Sequence, residues 1–186
     1  AGKLKADLRM QYRIYTNGKV ELELTMDRKQ ALPLPKVGTE MRLPVQMNRL
    51  RWYGLGPEPT YPDRLAGGRM NVYQATVKED FVPYIRPQDY GNKANVQWAE
   101  IQNAQGVGLR IQGENLNLSV SPYSLKDLSQ ALHVPELEEA PYTRLNVDGF
   151  VMGVGGDLSW FPVTHKEYLL EQSSFSYKYT MEPLSK

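Results

Sequence analysis

The residue types in this sequence exclude several kinds of catalytic and metal site. Cysteine is absent, which excludes a disulfide, a thiolate nucleophile and a thiolate metal site. His133 and His165 are the only two histidines, so a histidine-rich metal centre is excluded as well. Aspartate and glutamate are abundant, 21 in all, but their spacing identifies no pair suited to acid–base catalysis. We therefore predict no catalytic residue and no metal ligand in this chain.

The charge balance argues against two classes of partner. Lysine and arginine number 22, and the net charge of +1 gives no long-range field that would gather phosphates or anionic lipids. No run approaches the roughly 20 apolar residues that span a bilayer, and residues 1–5 lack the apolar stretch of a signal peptide. We expect neither nucleic-acid nor membrane partners. The sequence does not distinguish a cytoplasmic from a periplasmic location.

Three irregular blocks are rich in glycine, proline and aromatic residues. The first begins at Trp52 as Trp-x-Gly-x-Gly-Pro and reaches Tyr-Pro-Asp-Arg at 61–64. The second has the form Pro-Tyr…Pro…Gly-Asn over 83–92, and the third reads Met-Gly-x-Gly-Gly-Asp-x-Ser-Trp over 152–160. Each block alone is a weak signal, but the three in this order form a specific combination.

With this combination the chain resembles the last domain of the β-galactosidases of glycoside hydrolase family 2, from about Leu34 to Tyr179. The resemblance implies an all-β fold, a two-sheet antiparallel β-sandwich of the galactose-mutarotase-like (supersandwich) type. It also implies that 1–186 is a single domain, truncated at its amino-terminal side. A catalytic barrel of the same enzyme would hold both carboxylates of the retaining mechanism. Any Mg²⁺ and Na⁺ would be bound there too, so we expect no cofactor in this chain and no activity from the chain alone.

The resemblance assigns one substrate-binding residue. In the family, a tryptophan in the Gly-Gly-Asp-x-Ser-Trp loop contacts the sugar, and the matching residue here is Trp160. An indole offers a flat apolar plate to the C–H face of a hexose, and glycines let the backbone take left-handed paths. The alternative is that Trp160, beside Phe161 and Pro162, is a packing residue.

Other residues of these blocks are interpreted as supports of the loops rather than as sugar contacts. Asp63 and Arg64 look like a structural pair that locks the loop over 54–64. The sequence departs from the family pattern at Leu158, where many relatives carry a second Asp, and at Pro59-Thr60, which puts the shape of that loop in doubt. The predicted supports are Tyr61, Asp63, Arg64, Asp157 and Ser159, together with Tyr84 and Asn92.

The elements that must position these loops read as short strands. Apolar residues alternate over 8–14 and again over 20–26, as in half-buried strands. A three-residue loop at 16–18 would pair Ile14 with Val20 and keep the apolar faces together, with Gly18 left-handed. The commoner two-residue turn at Asn17-Gly18 is the alternative. Further strands are predicted at 37–43, 48–54, 69–77, 96–101, 107–113, 115–121, 143–151, 166–171 and 174–182.

A single short helix is predicted near 125–133. Ser124 can cap it, Asp127 favours its amino end, and Pro135 follows its last turn. The Asn-Leu-Ser glycosylation motif at 117–119 lies in a predicted strand and is given no meaning.

The sequence leaves three functions to compare. The leading hypothesis is a non-catalytic domain of a β-galactosidase, whose partners are the β-galactoside and the catalytic barrel. The others are a free-standing galactose-binding module and a structural domain. We do not expect mutarotase activity, since neither histidine has a partner visible in the sequence. Because the resemblance implies that strands of one sheet are missing, we also expect self-association through an open strand edge.

Overall fold

The computed structural model describes residues 5–30, 32–157, 160 and 163–185. Antiparallel strands dominate this part of the chain, and its one α-helix is short. The strands are β1 (Ala6–Ile14), β2 (Val20–Arg28), β3 (Lys36–Pro44), β4 (Arg49–Gly56), β5 (Arg69–Thr76), β6 (Lys93–Gln102), β7 (Gly108–Ser121), β8 (Tyr142–Val151) and β9 (Ser174–Leu184). The helix α1 is Leu125–Gln130, and two 3-10 turns lie at Val134–Glu136 and Lys166–Tyr168.

The β1–β2 hairpin has the longer of the two loops considered above. Ile14 is opposite Val20, and the Tyr15 N–H donates to the Lys19 carbonyl at 2.9 Å, which leaves 16–18 as the loop. Gly18 has a φ of 83°, the left-handed conformation that this loop requires. The three-residue loop, predicted because it keeps the apolar residues of both strands on one face, is confirmed.

Strand β7 joins two arms of the sheet. Its first half, 108–113, pairs with β9, which continues to β2 and β1, whereas its second half, 117–121, pairs with β8 and so with β3. Strand β6 pairs with both halves and continues to β4 and β5. Two strands were predicted here, at 107–113 and 115–121, but a single strand runs through Asn115. Asn115 lies where the partner of β7 changes from β9 to β8, and its φ of 51° is in the left-handed region.

The core lies between these arms. Buried apolar side chains come from both, including Leu24 of β2, Ile111 of β7 and Val147 of β8. The Thr39 hydroxyl is 2.8 Å from the Tyr179 hydroxyl, and the Tyr177 hydroxyl donates to the Val147 carbonyl at 3.0 Å. These bonds tie β9 to β3 and β8. The predicted all-β antiparallel fold is confirmed. The described strands form one branched sheet of nine strands, in place of the two separate sheets that were predicted, and β7 joins its arms.

Two predicted elements need correction. The helix near 125–133 begins as predicted, with the Asp127 N–H donating to Ser124 Oγ at 3.0 Å, but it ends at Gln130 because Ala131 is extended. The predicted strand at 166–171 is wrong. That segment forms a 3-10 turn and a single bridge from Leu170 to Leu34, since the chain turns sharply after His165.

Candidate functional site

Trp160 projects into solvent. Its side chain is 87 % exposed, so within the described residues it is not a packing residue. An indole this open leaves a large apolar surface available for contact with a ligand or another domain. Leu158 and Ser159, with the two residues that follow Trp160, lie outside the described residues, and the support predicted for Ser159 stays a prediction.

The glycine loop, residues 152–157, is held by the loop at 54–64. The Gly155 N–H donates to Asp63 Oδ2 at 2.7 Å, and the Arg64 guanidinium donates to the Gly155 carbonyl. Asp63 and Arg64 therefore bind the backbone of the glycine loop. From the sequence they were expected to stabilise the loop at 54–64, to which they belong. Two motif blocks distant in sequence are joined by this contact.

The backbone at Gly155 has no room for a side chain. Its φ is 66°, and a Cβ there would lie 2.9 Å from Thr164 N and from the Val163 carbonyl. Next to it, Gly156 has a φ of 94°. Both conformations are costly for residues other than glycine, which explains the glycine pair ahead of Trp160.

The other side of the glycine loop contacts the segment after Trp160. Thr164 donates its hydroxyl proton to the Gly153 carbonyl at 3.1 Å, and the Gly153 N–H donates to the Tyr168 carbonyl at 2.9 Å. Asp157 forms an ion pair with His165. Its hydrogen bond and charge raise the pKa of His165. The ion pair was not predicted, because it joins residues on either side of Trp160 that are eight positions apart.

The loop at 54–64 is itself tied to the end of the second motif block. The Thr60 N–H donates to the Asn92 carbonyl at 2.8 Å, and Asn92 Nδ2 donates to the Thr60 carbonyl at 2.8 Å. The buried Thr60 hydroxyl accepts from the Ala94 N–H at 2.9 Å. The departure from the family pattern at Pro59-Thr60 thus places a hydroxyl where it satisfies a buried backbone donor. Burial raises the pKa of the adjacent Tyr61 hydroxyl. Tyr84, another predicted support, is partly exposed.

Ion pairs that each include a buried cation, Lys93 or Arg144, anchor the second block. Lys93 is fully buried and lies 2.5 Å from Asp80 Oδ1. Asp89 is 2.7 Å from Lys36 and 2.8 Å from Arg144. Since breaking such a pair leaves an uncompensated charge in the interior, these contacts fix where the block lies. Sequence reasoning missed them, because charge alone does not reveal which residues become buried.

A second carboxylate beside Lys36 has a displaced pKa. Asp148 is 3 % exposed and 3.7 Å from Lys36 Nζ. Burial raises the pKa of Asp148 to about 6, although Lys36 opposes the shift. Burial also acts to raise the pKa of Asp89. The nearby charges of Lys36 and Arg144 outweigh this effect, so the pKa of Asp89 is lowered.

Two concavities of the described chain lie away from Trp160. A cleft of about 810 Å³ opens where the arms diverge, between Glu23, Gln112 and Tyr177. A smaller one of about 320 Å³ is lined by Pro62, Phe150 and Tyr168 among others. Neither is lined by Trp160. The indole therefore stands at a surface that these two cavities do not share.

Within the described ranges, no group of three His, Asp or Glu side chains is arranged to hold a metal ion. The helices found there are too short or too polar to cross a membrane.

Comparison with known proteins gives a consistent result. The family described as "Beta galactosidase small chain" matches residues 2–181. A β-galactosidase of Lactobacillus delbrueckii subsp. bulgaricus is 38 % identical over 184 residues, which are 97 % of this chain and 18 % of that protein. The β-galactosidase of Priestia megaterium is 35 % identical over 176 residues, 93 % of this chain and 17 % of its own length. That of Pseudoalteromonas haloplanktis is 36 % identical over 182 residues, 97 % and 17 % respectively. The chain spans less than a fifth of the length of these relatives.

Proposed function

Since this chain belongs to the β-galactosidase small-chain family, we propose that it is the carboxy-terminal domain of an enzyme that hydrolyses terminal β-D-galactosides. In this function Trp160 forms part of the wall of the sugar pocket. The carboxylates that cleave the glycosidic bond belong to a catalytic barrel, which is the main partner of the chain. Any metal ions of the whole enzyme are bound by that barrel.

The observation that carries the proposal is the exposed indole of Trp160, which follows the glycine loop in the sequence. Trp160 is open to solvent, while Gly155, five residues earlier, is fixed by Asp63 and Arg64. An exposed indole offers a large apolar surface that a sugar or a neighbouring domain can cover. This combination suits recognition better than packing.

Energetics support a pocket shared with another domain. One aromatic contact contributes about 0.5 to 1.5 kcal/mol beyond area burial. Even millimolar binding requires about 4 kcal/mol. Trp160 alone therefore cannot hold a galactoside, and other contacts must come from outside the described surface around it.

The pair of carboxylates around Lys36 does not supply a catalytic centre. Their pKa values are displaced in opposite directions, as in an acid–base pair. However, Asp148 is buried, and its Oδ1 lies 1.8 Å from where a Cβ on Gly38 would be, so the backbone of β3 covers it. A sugar cannot reach this carboxyl group, and we interpret the pair as structural.

The function is tested first on the chain alone. We expect no hydrolysis of a β-galactoside, and no change in tryptophan fluorescence up to millimolar galactose or lactose. Submillimolar binding that the Trp160→Leu variant loses would instead establish the free-standing binding module. Hydrolysis by the purified chain would refute the proposal that the catalytic carboxylates lie in the barrel.

The sugar contact is tested in a complete enzyme. The matching segment of the Lactobacillus delbrueckii β-galactosidase is exchanged for this chain, and the Trp160→Leu variant is made in that protein. We expect KM to rise about tenfold with a smaller change in kcat, because the contact is mainly ground-state binding. The Val154→Ala variant, altered at an exposed position of the glycine loop, is the control. An unchanged KM would contradict the role of Trp160.

Self-association through an open strand edge is a second proposal about the partners of the chain. It concerns β1, which pairs only with β2 among the described strands.

A further inference from the structure

The segment that carries the exposed tryptophan is closed at its base by a neck, formed by residues 153–157 and 163–168. Thr164 donates its hydroxyl proton to the Gly153 carbonyl at 3.1 Å. The Gly153 N–H donates to the Tyr168 carbonyl at 2.9 Å. Hydroxyl and backbone groups of this kind do not change charge near neutral pH, so these bonds hold the neck independently of pH.

One ion pair also joins the two sides of the neck. His165 Nε2 is bound to Asp157 Oδ2 across eight positions of the sequence, against eleven for the bond from Thr164 to Gly153. Both side chains of the pair are more than half exposed. The His165 carbonyl accepts from the Tyr168 N–H at 3.0 Å, in the 3-10 turn that follows. Among the described contacts across the neck, this pair therefore encloses the shortest segment around the indole.

Carboxylates from three places determine the charge of the His165 imidazole. Asp157 of the glycine loop is the main one, Glu167 belongs to the turn after His165, and Asp63 lies on the neighbouring loop. All three raise the pKa of His165. Lys166, the next residue, is the nearest cation in the sequence. The imidazolium form persists to higher pH than in a free histidine, and it binds Asp157 more strongly than the neutral ring does.

We propose that His165 is a positioning residue for Trp160: bound to Asp157, it holds together the two ends of the segment that carries the indole. This inference rests on the proposed sugar contact of Trp160 and adds a side chain that acts through it. Breaking the pair keeps the hydrogen-bonded neck but allows the indole more conformations. The apparent affinity for a galactoside then falls with the fraction of molecules in the binding conformation.

The pair itself is tested in the chain alone by NMR titration of its two histidines. The pKa of His165 should lie above its ordinary value of 6.5 and fall toward that value in Asp157→Asn. His133, whose partner is Glu136, is the internal reference, and its titration should be the same in both proteins. A titration of His165 that Asp157→Asn leaves unaltered would overturn the pair.

The positioning role is tested in the Lactobacillus delbrueckii β-galactosidase with the exchanged segment. Below the measured pKa of His165, His165→Gln should raise KM about threefold with a smaller change in kcat, since an exposed ion pair is weak. Above that pKa the wild type also loses the charge, so the difference should disappear. His165→Arg, which stays charged, should keep the low KM at both pH values.

His133→Gln is the matched control for the same substitution and should change neither KM nor kcat. A purely structural role of His165 would make His165→Gln equally harmful at both pH values, and that result would overturn the proposal.

Trp160→Leu separates this inference from the proposed function. Because His165 acts through the indole, His165→Gln should have no effect on KM once Trp160 is leucine. A raised KM in Trp160→Leu with an unchanged KM in His165→Gln would overturn the positioning role alone. An unchanged KM in Trp160→Leu would overturn the sugar contact, and this inference with it.

Discussion

At the residue scale, the candidate site depends on a few backbone contacts around Gly155. Asp63 and Arg64 bind its N–H and its carbonyl group, and Gly155 itself has a left-handed conformation. The glycines of the third motif are thus explained by conformation and space rather than by flexibility. Trp160 comes five residues after Gly155 in the sequence.

The Gly155→Ala substitution should destabilise the chain. A Cβ would lie 2.9 Å from the backbone of Val163 and Thr164, at a φ of 66°. We expect a loss of roughly 1 to 3 kcal/mol in the free energy of unfolding, measured by urea denaturation. Gly67→Ala is the matched control, because no atom lies within 4 Å of its Cβ position and its φ is not in the left-handed range. Equal losses in both variants would contradict this account.

The Asp63→Ala substitution should release the glycine loop. It leaves the buried Gly155 N–H without its acceptor, which costs roughly 1 to 3 kcal/mol. Limited proteolysis should then cut near Gly155 sooner than in the wild type. Asp157→Ala removes an exposed carboxylate of the same loop and should have a much smaller effect on stability. A loss of stability in Asp157→Ala but not in Asp63→Ala would contradict the role of Asp63 in holding the glycine loop.

At the element scale, β7 determines how the sheet divides. Strand β9 pairs with its first half and β8 with its second, and Asn115 lies between them in the left-handed region. Asn115 Oδ1 also accepts from Gln97 Nε2 at 3.2 Å, linking the bend to β6. Asparagine suits this position because its short polar side chain tolerates positive φ.

Replacing Asn115 should reveal the cost of that bend. Asn115→Ala should lower the free energy of unfolding by about 1 kcal/mol, since alanine is strained at a φ of 51°. Asn115→Gly, which relieves the strain but also loses the bond to Gln97, should cost less. Thermal and urea unfolding of the two variants give the comparison. Glycine being the more damaging replacement would show that the side-chain bond, not the backbone, is what matters.

At the scale of the whole molecule, buried ionisable groups should make stability depend on pH. The folded pKa of Asp148, about 6, is above its ordinary value of 3.8. Its contribution to stability is therefore fully present below pH 3.8 and is lost as the pH rises through 6. The exposed His165, whose pKa is also raised, acts in the same direction at higher pH.

The Asp148→Asn variant isolates the buried carboxyl group. The stability of the variant relative to the wild type should increase from pH 4 to pH 7, by up to about 3 kcal/mol, because asparagine does not ionise. The contribution of His165 cancels in this difference. Urea unfolding at several pH values gives the measurement. A difference that stays constant between pH 4 and pH 7 would show that Asp148 titrates normally.

Local patterns were sufficient for much of the fold. The alternation over 8–14 and 20–26 determined the strands, and matching their faces determined the hairpin register. Ser124 indicated the start of the helix. These features depend on neighbours within a few residues, so the sequence alone contains them. The motif blocks likewise identified the family, since their order and spacing are properties of the sequence.

Only the tertiary structure decided how those blocks meet. Asp63 binds Gly155 across 92 positions, Asp89 binds Arg144 across 55, and β7 changes its partner at Asn115. The segment at 166–171 is a turn because its surroundings hold it in that form, against its strand-like composition. Hydrogen bonds between distant loops, and the burial that displaces the pKa of Asp148, depend on which surfaces the folded chain brings together. Strand periodicity and turn chemistry act within a few residues and cannot specify those encounters.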